Sequence, residues 1–170
     1  IISAAGSPYN LNGEYFRLVA DNITVSGSTS NRSDVLLDGG YVTTEIFQVI
    51  GSNVTIKNLT VARARYHPIH VFPESKDTVG TVIDNVHVRD PGEQAIKINQ
   101  NSAKTYSANG GTIRNSIIEL TSSGRAKVES YSNCYTGGVD AHHAADWNIS
   151  NNLISGFWCS NGLSEHGVHF

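Results

Sequence analysis

The chain contains no methionine, only two cysteines and only four prolines in its 170 residues. No apolar run approaches the roughly 18 residues that a membrane-spanning helix needs, so no membrane partner is expected. Lys and Arg form no basic run and the net charge is −3, which argues against nucleic acid as a partner. Ile1-Ile2-Ser3 reads like the interior of a polypeptide, and the sequence is expected to be a processed part or fragment of a longer chain. The length suits a single domain over 1–170. Two cysteines are too few to fix a redox compartment, and their spacing alone leaves two buried thiols and one disulfide equally open.

What the sequence does have is Val, Ile and Thr in quantity, sixteen glycines, and many asparagines. Four segments share an Ile-x-Asn frame followed by a β-rich run: Val54–Val61, Thr81–Val88, Gly111–Ile118 and Trp147–Ile154. Their isoleucines, Ile56, Ile83, Ile113 and Ile149, stand 27, 30 and 36 residues apart. Ile23–Gly27 has the same frame with Gly27 in place of Asn. Each segment alternates inward and outward side chains as a strand does, and no helical period of comparable length accompanies them. Asn tolerates a left-handed bend, and its amide can donate to one neighbour while accepting from the other. Asn58, Asn85, Asn115 and Asn151 are therefore expected to form an inner ladder, with Gly27 taking the same bend. An antiparallel sandwich with Asn in its hairpins would not repeat Asn at one frame position four times.

A second register lies further along each repeat, in Phe47-Gln48-Val49, Ile69-His70-Val71, Ile96-Lys97-Ile98, Val139-Asp140-Ala141 and Val168-His169-Phe170. Three strands per repeat predict an all-β right-handed parallel β-helix, a solenoid of about five to six three-strand coils. The insertion from Thr121 to Tyr135 is expected to rise over the face that follows it. The Asn frame and the three strands resemble the pectin-lyase-like superfamily of parallel β-helices over essentially the whole chain. Gly92–Asn99, Tyr135–His142 and Gly162–Phe170 resemble segments of uncharacterised secreted bacterial β-helix proteins. That superfamily hosts lyases, hydrolases, adhesins and plain scaffolds.

Alternation places Gln48, His70, Lys97, Asp140 and His169 in one outward column of the third face, with Asn99 and His142 in the next. An idle strand face carries Thr, Ser or Val more often than such a set. The resemblance implies that this face and its overhanging loops form a sugar-binding groove. The expected partner is an acidic, uronate-containing polysaccharide, held by Gln48, His70, Asn99, Asp140, Arg65 and Glu165. β-Elimination needs a base beside the carboxylate, a neutraliser for the developing charge and an acid for the leaving oxygen. Lys97 is the candidate base if nearby cations such as Arg89 lower its pKa. Arg89 or Arg125 is the candidate neutraliser, and His142, His169 or Tyr135 the candidate acid. The β-helix lyases that use a Lys place an Arg on the neighbouring coil, where this chain has Asp140 and His142. Hydrolysis would need two or three clustered carboxylates, and the column supplies only Asp140.

No tight metal spacing is present and no cofactor is expected, although Asp140, His142 and His169 are ligand types on successive coils. A divalent ion such as Ca²⁺ would want more carboxylates. Cys134 and Cys159 both enter the third face from neighbouring coils, a frame relation that favours a disulfide and secretion to the extracellular space or cell surface. The rival reading is a structural or adhesive solenoid whose uncapped coils continue in further sequence or self-associate end to end.

Overall fold

The computed structural model describes residues 1–162 and 166–170. Its strands form sheets of nine, six and two strands, and every ladder in them is parallel. The six-stranded sheet takes Phe16–Leu18, Phe47–Val49, Ile69–Val71, Gln94–Ile98, Gly137–Ala141 and His166–His169 side by side in chain order. Between these visits the chain passes through the nine-stranded sheet, whose longest members are Thr55–Ala62 and Val82–Arg89. This mostly β, all-parallel arrangement is compatible with a β-helix.

Parallel register turns the sequence repeats into continuous apolar rows. Val25, Ile56, Ile83, Ile113 and Ile149 pair in succession across one part of the nine-stranded sheet. Leu37, Val61, Val88, Ile118 and Ile154 do so across another. Phe16, Phe47, Ile69, Ile96, Val139 and Val168 run across the six-stranded sheet. The middle members of each row are fully buried in one core cluster, so each contributes roughly 1.5–3 kcal/mol of transfer free energy.

The Asn frame sits where the long strands bend. Asn58, Asn85, Asn115 and Asn151 all have φ between 53° and 57°, the left-handed region an Asn tolerates. Asn85 donates to Asn58 at 2.8 Å and Asn151 to Asn115 at 2.6 Å, while the amide of Asn115 turns to Asp84 at 2.8 Å. Asn58 and Asn85 are half-buried and Asn115 and Asn151 exposed, so the bend lies at the rim of the core and not inside it. Gly27 has a different reason from the one its frame suggested. Its φ is not positive, and an added Cβ would stand 2.0 Å from the Asn58 carbonyl oxygen. Close approach of two backbones requires it.

The Thr121–Tyr135 insertion contains a helix, Ser122–Tyr131, where the sequence showed no helical period. Thr121 caps it, accepting from Gly124 N, and only Gly124 and Val128 are buried. The helix rests on the turn after Val82–Arg89. Asp90 Oδ1 accepts from Thr121 N at 2.8 Å, and the Tyr131 hydroxyl donates to the Arg65 carbonyl. Val128 joins Leu120 and the Cys134–Cys159 disulfide in a second, smaller core. The cysteine Cα atoms are 6.3 Å apart, so the disulfide reading of the sequence is the one the structure carries.

Candidate functional site

Strand register on the six-stranded sheet brings Arg17, Gln48, His70, Lys97, Asp140 and His169 into one row. A second polar row stands two residues before the core positions, as Glu45, His67, Gln94, Gly137 and His166. Sequence reasoning missed Glu45. It is half-buried, receives His70 Nδ1 at 2.7 Å and accepts from Gln48 Nε2 at 2.8 Å. Ile46 and Phe47 are both buried, which breaks strict alternation and hid Glu45 from a period-two reading. The constant two-residue offset was the signal that would have found it.

Lys97 differs most from expectation. It is a buried group, 8% exposed, ion-paired with Asp140, which is 2% exposed. Asp140 uses Oδ2 for Lys97 and turns Oδ1 toward three imidazoles: His169 Nδ1 at 2.8 Å, His142 Nε2 at 3.2 Å and His166 Nε2 at 3.6 Å. Burial by itself would raise the Asp140 carboxyl. Hydrogen bonds from Lys97 and His169, and the charges of Lys97 and His142, outweigh it and hold the group at about 2. The His142 and His169 side chains are nearly half exposed, so the cluster opens to solvent on its imidazole side.

Beside this row the ionisable groups diverge. Burial, reinforced by His70, pushes His67 down to about 4, against the hydrogen bond between its Nδ1 and the Gln94 carbonyl at 3.1 Å. Burial raises Glu93, with Lys97 opposing and Glu45 adding to the shift. Glu45 would also rise by burial, but bonding and charge from His70 carry it below its ordinary value.

A cavity of about 460 Å³ lies at the end of the His70 and Lys97 strands, lined by His70, Phe72, Glu74, Asn99, Gln100 and Asn101 among others. Two buried atoms of its lining, His70 Nε2 and Asn99 Oδ1, have no hydrogen-bond partner among the described residues. His70 Nδ1 is engaged by the Glu45 carboxylate, so only Nε2 of the ring is left for a ligand. Both atoms lack partners in the cavity lining, and the His70 and Phe72 rings pack 4.5 Å apart.

Two of the remaining expected site residues, Arg89 and Arg125, are engaged elsewhere. Arg89 lies in another cavity with Asp38, Arg63 and Asp90, its Nε 3.8 Å from Asp90 Oδ2, because it ends a strand of the nine-stranded sheet. Arg125 is on the helix, stacked 3.6 Å over Trp158 and donating to the Trp158 and Gly156 carbonyls. Arg65 is exposed, 5.6 Å from the Tyr66 ring, and its carbonyl is engaged by Tyr131 from the helix. Tyr135 is exposed in the turn after the helix. Glu165 lies outside the described residues. No protein-family model, curated protein or solved structure matches this chain.

Proposed function

We propose that this chain is a secreted, carbohydrate-binding right-handed parallel β-helix of the pectin-lyase-like kind, with about five to six coils and an Asn-lined bend. Its ligand is an extracellular glycan carrying uronate groups, laid across the six-stranded sheet. The observation that carries this reading is the pair of unpartnered buried polar atoms, His70 Nε2 and Asn99 Oδ1, in one open cavity beside an aromatic ring. Buried polar atoms without partners cost free energy unless a ligand supplies the missing bonds. Sugar hydroxyls both donate and accept, and the C–H face of a pyranose suits an aromatic wall. If the face also eliminates, the exposed imidazoles of His142 and His169 are placed to move the proton, and Lys97 serves to hold Asp140.

The test is calorimetric titration with oligosaccharides of pectate, alginate and glycosaminoglycans, alongside neutral oligosaccharides. Saturable binding to a uronate series is expected, and His70→Ala and Asn99→Ala should each weaken it about tenfold or more, matching a lost hydrogen bond of 1.4 kcal/mol or above. Ultraviolet absorbance of an unsaturated product would add the lyase activity. No binding to any glycan would remove the reading.

A second reading, a structural solenoid stacking end to end or continuing in further coils, is favoured by one observation. Leu153, Val168 and Phe170 are 58%, 44% and 56% exposed in or beside strands that, among the described residues, have a neighbour on one side only.

A further inference from the structure

We propose that Asp140, His142 and His169 form a binding site for a divalent transition-metal ion, zinc being the representative ion. One donor atom from each residue lies within 4.8 Å of the others, before any ion draws them together. A tetrahedral ion with donors at about 2.0–2.2 Å keeps its ligand atoms roughly 3.4 Å apart. The separations from Asp140 Oδ1, 3.2 Å to His142 Nε2 and 2.8 Å to His169 Nδ1, fall just short of that edge, so small outward shifts would admit the ion. His166 Nε2, at 3.6 Å from the same oxygen, is within reach as a fourth donor, though the site does not depend on it.

Three features separate this cluster from an ordinary ion pair. First, Lys97 is bound to Oδ2 alone, so the carboxylate is held by a buried hydrogen bond while Oδ1 faces the imidazoles. A ligating carboxylate fixed through its other oxygen is the usual support around a metal. Second, three imidazole nitrogens converge on one oxygen that has two lone pairs, more than it can accept from at once. A metal ion would displace the protons of those nitrogens and take them as ligands beside the carboxylate. Third, the donors are two or three imidazoles and one carboxylate. That set suits zinc, cobalt or nickel, whereas calcium and magnesium take oxygen.

The backbone allows the approach. An added Cβ at Gly138 would stand 2.3 Å from the Gly167 carbonyl oxygen, so glycine lets the strand bearing His166 and His169 lie against the strand bearing Asp140 and His142. A bound ion would keep a solvent-side position, since His142 and His169 are nearly half exposed. It would also supply positive charge that Arg17 and Lys97, paired with Glu74 and Asp140, do not offer freely to a uronate carboxylate. The proposal stands without the glycan reading, because its test contains no glycan.

Tag-free, chelator-treated protein is titrated with Zn²⁺ by calorimetry and with Co²⁺ by visible absorption. One ion per chain is expected, with cobalt bands of low-coordinate intensity. His142→Ala and His169→Ala should each weaken Zn²⁺ binding at least about tenfold. His87→Ala, which removes a histidine paired with Glu119 on the other sheet, should leave it unchanged. Absence of stoichiometric uptake, or uptake undiminished by the His142 and His169 substitutions, overturns the site.

Discussion

His67 is the residue whose chemistry is most tightly set by its surroundings, and its effect on stability has a definite sign. Its folded pKa of about 4 lies below the 6.5 of an unperturbed imidazole. Between those values the unfolded chain binds a proton that the folded chain refuses, so stability falls as pH falls through that window. The full shift amounts to on the order of 3 kcal/mol. Asp140 behaves oppositely in range. With its pKa lowered to about 2, its contribution is intact above the ordinary carboxylate range and is lost only toward pH 2. Urea unfolding followed from pH 7 to pH 4.5 therefore reads His67 and not Asp140. His67→Gln should flatten the pH dependence by about one proton; an identical slope in the variant would contradict the burial argument. Lys97, by contrast, was legible as an unusual strand residue, but its pairing was not. Alternation says that Lys97 and Asp140 share a face, whereas their burial depends on what the neighbouring strands and loops lay over them.

At the scale of elements, the apolar rows and the Asn bends were readable because both are local and periodic. Ile56, Ile83, Ile113 and Ile149 recur in one frame, and parallel register stacks them directly. The bend at Asn85 combines a φ of 55° with bonds to Asn58 and to the Ser30 carbonyl, each at 2.8 Å. Asn85→Leu should destabilise by about 1–3 kcal/mol, from the lost bonds and the strain of a left-handed leucine. Thermal or denaturant unfolding checks it, and a change below about 0.5 kcal/mol would show the bend to be set elsewhere. The helix Ser122–Tyr131 was not readable. It buries only Gly124 and Val128, so its sequence has no apolar stripe, and it is fixed by Thr121, Tyr131 and the disulfide. Arg125 was misplaced for the same reason: without the helix, nothing in the sequence pointed it toward Trp158.

At the scale of the whole molecule, the six-stranded sheet is a wall whose core side is an apolar row and whose other row is polar from Arg17 to His169. Strands about 4.8 Å apart place the His70 cavity and the Asp140 cluster roughly 10 Å from each other, comparable to the reach of two sugar units. A competing surface exists on the nine-stranded sheet, a cavity of about 480 Å³ lined by Arg32, Asn115, Asn151 and Leu153. Its asparagines already spend their amides on each other and on Asp84. The most direct discrimination is backbone amide chemical-shift mapping by NMR during titration with a uronate oligosaccharide. Shifts are expected at His70, Phe72 and 99–103, spreading along the row to Asp140 and His142. Shifts confined to Arg32, Asn115 and Asn151, or no shifts with any glycan, would contradict a sugar-binding six-stranded sheet.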